Sequence, residues 1–368
     1  MSKLDDLARW QQAALVVVVL AVLSVILVLL AEGAVRVRHY VKHGDMWGVE
    51  DTFTKDSDSG LRVPLPSIDR GGIRTNSLGF RSPELSNPKP PGVLRIAFLG
   101  GSTTYGAEVS SNEANWPHLV IQQLQQRWPQ VRFEYINAGV PGYAAETSLK
   151  NLRARVQQLE PDAVVIYHAT NDLSLYSYEE AVRQGVARER TEDGLSWLSE
   201  YSLLSYLVEK NLRVRTQQAQ ASDAEPKLTV DTAALAAPFE AALVELGTAA
   251  GQVADFVALV TFSTHLRPDQ TDKQQAAAAV TGLYYMPYMT ITGLLQGFAT
   301  YNETIRTVAQ RLDLHLVDGE NDIPGDPVHF ADSVHFTDAG SKVMARRVAE
   351  SLIGAPGFNE LVTKKQAE

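Results

Sequence analysis

Two short stretches hold residue types that can supply a nucleophile and the base that would activate it. The first, Phe98-Leu99-Gly100-Gly101-Ser102-Thr103-Thr104-Tyr105-Gly106, runs from apolar residues through two glycines and a serine into a helix start. A serine at a helix N-terminus has its own N–H and the helix dipole directed at any oxyanion that forms nearby. The plainer reading is an N-cap after a tight turn. Phosphate binding, another use of glycine-rich turns, requires G-x-G-x-x-G or GK[ST], and this turn has neither. The second stretch, Phe330-Ala331-Asp332-Ser333-Val334-His335-Phe336-Thr337-Asp338-Ala339-Gly340, puts Asp332 and His335 three apart in a loop that enters a helix with Thr337 as N-cap. That spacing lets the aspartate accept from one ring nitrogen and turn the other toward a hydroxyl. Metal ligation is the rival use of the pair. No H-x-x-x-H and no third ligand accompanies it, so no metal and no other cofactor is expected.

The elements that must carry these residues follow a regular rhythm. Arg95–Leu99, Phe133–Asn137, Ala163–Tyr167, Asp255–Phe262 and Leu314–Asp318 read as strands. Ala114–Trp128, Glu146–Leu159, Thr300–Leu312 and Asp338–Ile353 have helical apolar spacing. Alternation of this kind predicts right-handed crossovers and an α/β fold, a three-layer α/β/α sandwich around a five-stranded parallel sheet. About eighty residues separate Asp172 from the next strand, where a short crossover would suffice. Within them Glu200–Thr216 reads as helix, Gln217–Lys227 as flexible, and Pro238 as the opening of a helix Phe239–Ala249. A helical insertion over about 174–250 is therefore expected.

With these blocks in order, the chain resembles the SGNH hydrolases, also called GDSL-type esterases and lipases. Gly100-Gly101-Ser102 stands at the nucleophile block, with Gly101 in place of the usual aspartate. Asn137-Ala138-Gly139-Val140-Pro141-Gly142 resembles the second block and Ala169-Thr170-Asn171-Asp172 the third, where Ala169 replaces a glycine and follows His168. Asp332 and His335 match the last block. The resemblance implies Ser102, His335 and Asp332 as catalytic residues, and an oxyanion hole formed by the N–H groups of Ser102 and Gly142 with the Asn171 amide. It implies a flavodoxin-like SGNH fold and hydrolysis of an O-acyl, short-chain or acetyl ester through an acyl-enzyme, on a small molecule or a cell-envelope carbohydrate. The alternatives are O-acyl transfer to a surface polysaccharide and a silent binding protein with the same fold. Gly71–Arg81 resembles a lead-in present before this domain in some membrane-anchored bacterial members. Arg74, Arg81 and Arg267 are candidate substrate contacts, with ion-paired or solvated surface arginines as the plainer reading, and Tyr284–Met289 is a candidate cleft lining or a packing cluster.

Composition narrows the partners. A net charge of −10 without a basic stripe argues against nucleic acid, and the absence of cysteine removes disulfides and thiol chemistry. Ala13–Ala31 is nineteen residues with only Ser24 polar, about the length that crosses a ~30 Å hydrocarbon core. A signal peptide has a shorter apolar segment, so an uncleaved single-pass anchor is expected; the family resemblance together with that anchor implies a periplasmic or extracellular catalytic domain. The flanking charges nearly balance and settle little about orientation. The expected organisation is an anchor over 1–44, a lead-in over 45–94, the hydrolase domain over 95–356 and a tail over 357–368.

Overall fold

The computed structural model describes residues 8–43, 52–187, 202–222 and 227–368. It divides into two units, Met1–Asp51 with Arg190–Ala219, and Thr52–Glu189 with Gln220–Glu368. In the first unit, helix α1 (Arg9–His43) contains a stretch, Trp10–Arg38, long and apolar enough to cross a membrane. Glu32 on α1 accepts from Ser202 Oγ and from the backbone N–H of Leu203 and Leu204, at 2.9, 3.0 and 2.9 Å. It thereby satisfies the exposed donors at the start of the helix Leu203–Ser222.

The second unit opens with two small hairpins, β1 (Phe53–Lys55) with β2 (Arg62–Pro64), and β3 (Asp69–Arg70) with β4 (Ile73–Arg74). Five parallel strands follow: β5 (Val93–Gly100), β6 (Arg132–Asn137), β7 (Ala163–Tyr167), β8 (Phe256–Val260) and β9 (His315–Val317), in the order β6-β5-β7-β8-β9. All eight residues of β5 and all five of β7 and of β8 are buried, as expected of strands covered on both faces. The register pairs Phe98 with Asn137 and Gly100 with Tyr167, so the strands end side by side and their C-terminal loops share one edge of the sheet. Helix Trp116–Arg127 packs against Asp338–Gly354, and helix Thr232–Val253 packs against Ile291–Arg311, Ala145–Asn151 and Thr170–Arg183. These two sets are the outer layers of the sandwich.

The expected insertion is shorter than 174–250. The helix Thr170–Arg183 occupies its start, and Thr232–Val253 at its end is a core helix with Leu235, Phe239, Leu243 and Leu246 buried. Pro238 lies inside that helix rather than at its start, because Asp231 accepts the N–H groups of Ala233 and Ala234 and caps the helix seven residues earlier. Helix runs to Ser222 through the stretch expected to be flexible, and residues 223–226 lie outside the described ones. The expected tail is also helical. Pro356–Ala367 buries Phe358, Leu361 and Val362 in the main core.

Candidate active site

Gly101 alone separates Ser102 from the last residue of β5, and Ser102 opens a four-residue helix, Ser102–Tyr105. Neighbouring side chains fix that helix through its carbonyls. Trp116 Nε1 donates to Thr103 O at 3.0 Å, Asn137 Nδ2 to Thr104 O at 3.0 Å and Asn115 Nδ2 to Tyr105 O at 2.8 Å. From the lead-in, Arg81 donates to Tyr105 O, Gly106 O and Asn112 Oδ1, and only 1 % of it is exposed. Arg81 is thus neither a substrate contact nor a surface arginine, and burial lowers its pKa. Arg74 pairs instead with exposed Glu113.

The loop before the helix Asp338–Gly354 carries Asp332 and His335. A bridge between Phe330 and Phe336 pinches it, and Ala331 N donates to His335 O at 2.8 Å. Asp332 Oδ1 accepts from the N–H groups of Val334 and His335, both at 2.9 Å. Asp332 Oδ2 lies 2.8 Å from His335 Nδ1, and His335 Nε2 lies 2.7 Å from Ser102 Oγ. With the carboxylate accepting the Nδ1 proton, Nε2 is left as the acceptor for the Ser102 hydroxyl. Burial works to raise the Asp332 pKa, but the His335 ring and the two backbone donors outweigh it and hold the carboxyl below its usual range. Ser333, between the two, donates to Ala278 O at 2.6 Å and accepts Gly282 N at 2.9 Å, tying the loop to the segment ahead of Tyr284.

The remaining candidates meet on the other side of Ser102. Gly142 has φ +89°, a conformation L side chains rarely adopt, and nothing lies within 4 Å of where its Cβ would be. Asn171 Nδ2 spends one proton on Tyr143 O at 2.9 Å, leaving its second N–H for another acceptor. The glycine at 101, where the family pattern has aspartate, has a local reason, since a Cβ there would lie 2.5 Å from Asn171 Nδ2. The alanine at 169 costs no strain, since its φ of −172° is extended backbone. His168 is held by side chains rather than by backbone, sharing a 2.8 Å hydrogen bond with Ser148 Oγ. Ser102, Asn171, Asp332 and His335 are half-buried and Gly142 is exposed, so the site opens to solvent.

Thr103, Gly106, Ala107, Val109 and Trp116 close up beside Ser102 and His335, and the space between them is too small to admit a water molecule. Arg267, expected as a possible substrate contact, donates to Glu320 O and Ile323 O at 3.2 and 2.8 Å and braces neighbouring loops. The aromatic run divides: Met286, Tyr288 and Met289 are buried, while Tyr284 and Tyr285 are exposed and meet edge to face at 4.9 Å. Sequence reasoning missed the Arg81 brace and the Ser333 tether, both of which depend on contacts between distant segments.

Residues 98–343 match the GDSL-like Lipase/Acylhydrolase family, and the chain belongs to that family. It is a carboxylic ester hydrolase with a five-stranded parallel α/β fold. Among solved structures it is similar to LAE5, an alpha/beta hydrolase enzyme from the metagenome of Lake Arreo, Spain, at 17 % identity and TM-score 0.42, covering 70 % of this chain and 94 % of that one. It is also similar to Axe2, an acetylxylan esterase from Geobacillus stearothermophilus, at 16 % identity and TM-score 0.42, covering 72 % and 95 %. No curated protein sequence matches this chain.

Proposed function

We propose that the chain is a serine esterase for short O-acyl groups, with Ser102 as nucleophile, His335 as general base and acid, and Asp332 as the group that orients the imidazole. The observation that carries this reading is the unbroken run from Ser102 Oγ through the His335 ring to Asp332, at 2.7 and 2.8 Å. His335 Nε2 takes the hydroxyl proton as Ser102 Oγ attacks the ester carbonyl, then gives it to the departing alcohol. Water enters, loses a proton to the same nitrogen and releases the acid, restoring the Ser102 hydroxyl. The N–H groups of Ser102 and Gly142 and the second Asn171 amide proton receive the oxyanion of each tetrahedral intermediate. The Ser102 N–H suits this role because the first N–H groups of a helix have no partner within it.

A short acyl group is what the resemblance of the four blocks to the GDSL-type esterases implies. Carbohydrate as the alcohol component is part of the same proposal and is carried by the family resemblance. We further read α1 as a single-pass anchor, with the hydrolase domain over 95–356 outside the cytoplasm; a stretch of 29 apolar-rich residues supports the span.

The test is hydrolysis of p-nitrophenyl esters of two, four, eight and twelve carbons by detergent-solubilised full chain, beside Ser102→Ala. Release should require Ser102 and fall steeply beyond about four carbons. Undiminished release by Ser102→Ala would remove the nucleophile assignment, and a preference for twelve carbons would remove the short-acyl assignment.

A further inference from the structure

Three ties join the segment after β6, up to the helix Ala145–Asn151, to the segment after β7 that enters the helix Thr170–Arg183, and two of them use buried ionisable side chains that the proposed chemistry does not employ. Asn171 Nδ2 donates to Tyr143 O at 2.9 Å, Asp172 Oδ1 accepts Ala145 N at 2.8 Å, and His168 Nε2 shares a 2.8 Å hydrogen bond with Ser148 Oγ. His168 is 3 % exposed, and Asp172 and Ser148 are fully buried. The free carboxylate oxygen, Asp172 Oδ2, has no hydrogen-bond partner and faces His168 Nδ1 at 3.6 Å, beyond hydrogen-bond range but within reach of its charge.

Burying a carboxylate and an imidazole is costly unless other groups compensate them, whereas an apolar side chain would fill the same space without that penalty. What the pair achieves is positional. His168 and Asp172 lie on either side of Asn171 in sequence, and both grip the segment that begins just after Gly142. Gly142 itself is exposed and touches nothing through a side chain, so where its N–H points depends on how its flanks are held. Upstream, Val140 N donates to Gly100 O at 3.1 Å. Downstream, the hold comes from Tyr143, Ala145 and Ser148, whose partners are Asn171, Asp172 and His168.

We propose that His168 and Asp172 are positioning residues that lock the segment carrying Gly142 against the one carrying Asn171, setting the spacing of two oxyanion donors. This rests on the assignment of Gly142 and Asn171 as those donors. A displacement of about 1 Å in such a group can cost about 10²-fold in rate without weakening substrate binding. His168→Ala should therefore lower kcat for p-nitrophenyl acetate by about 10- to 100-fold while KM stays within about twofold. Ser148→Ala, which deletes only a buried hydroxyl, should show a smaller loss of the same kind.

The deciding experiment is a double-mutant cycle on the full chain that combines His168→Ala, and separately Ser148→Ala, with Asn171→Ala. If His168 acts through the donors, its replacement should cost less than about threefold once Asn171 is already alanine. An equal factor in both backgrounds would place its effect elsewhere and overturn the proposal. Should His168→Ala fail to fold, the Ser148→Ala cycle gives the same two outcomes. Full activity in Asn171→Ala alone would overturn the donor assignment, and this inference with it. A normal Asn171→Ala loss with additive second mutations would overturn this inference alone.

Discussion

The sequence Asp-x-Val-His occurs twice within ten residues, as Asp326-Pro327-Val328-His329 and as Asp332-Ser333-Val334-His335, and both copies fold into the same turn. Asp326 Oδ1 accepts from Val328 N and His329 N at 2.9 and 3.0 Å and meets His329 Nδ1 at 2.8 Å. The corresponding contacts of Asp332 are 2.9, 2.9 and 2.8 Å. The distances agree, although Asp326 makes all three contacts through Oδ1 and Asp332 divides them between its two oxygens; among the described residues only the second ring reaches a serine, 233 positions away in sequence. The motif therefore encodes an oriented histidine, and the sheet decides which of the two faces a serine hydroxyl. The copies differ too in their second residue: Ser333 is tied to Ala278 and Gly282, and Pro327 has no hydroxyl to make such a tie.

The sharpest way to break this comparison is to remove each ring in turn. His335→Ala should lower kcat for p-nitrophenyl acetate by about 10⁴-fold or more, the scale of losing a member of a serine–histidine pair. His329→Ala should leave kcat within about twofold of wild type. Comparable losses from both would mean that the upstream turn also serves the reaction. Removing the carboxylates is the next test. Asp332→Asn should cost about 10³- to 10⁴-fold, since an amide can present a donor to Nδ1 and fix the wrong tautomer, whereas Asp326→Asn should affect only folding stability. Steady-state kinetics paired with thermal melts separates the two, because each variant weakens its turn and should melt lower, Asp326→Asn by less, while only Asp332→Asn should lose kcat.

Ser333→Ala tests the difference at the second position of the turns. It leaves the Gly282 N–H and the Ala278 carbonyl without their partner, a loss of about 1–3 kcal/mol if no water replaces it. The turn would then be less firmly placed against Ser102, so kcat should fall by about 3- to 10-fold, well short of the His335→Ala loss. A melt lowered with kcat intact would show that the tether serves the fold alone.

How far the sequence alone reached is visible in the same two turns. The Asp332–His335 geometry was legible because it is local: three residues, one loop and a Thr337 cap that accepts Gly340 N. The five strands were legible within about two residues because burial on both faces leaves continuous apolar runs. What escaped depends on contacts distant in the chain. Arg81 reads as a surface charge until the Tyr105 and Gly106 carbonyls surround it, and Pro238 reads as a helix start until the Asp231 cap seven residues upstream outweighs it. The helix Pro356–Ala367 reads as a tail because its buried Phe358, Leu361 and Val362 are few among polar neighbours. The Asp326 turn passed unremarked for the converse reason, since nothing in its own sequence says that no serine stands opposite.

Acid titration should produce the smallest difference between the turns, and its sign is fixed. Burial works to raise the pKa of both Asp332 and Asp326, but hydrogen bonds from the following histidine and backbone outweigh it, and each carboxyl titrates below its ordinary value. A carboxyl with a depressed folded-state pKa adds stability that is fully present above its unfolded value, about 3.9, and is lost as pH falls through the folded one. Urea midpoints between pH 7 and pH 2 should therefore show wild type more stable than Asp332→Asn by a constant margin down to about pH 5, with the margin shrinking below about pH 4. Asp326→Asn should follow the same course with a narrower margin, because its side chain is 42 % exposed against 22 % for Asp332 and water screens its contacts more. A margin at Asp332 that widened on acidification would mean a raised carboxyl pKa, with burial prevailing over the turn's donors, and the two turns would then differ in their electrostatics as well as in what they face.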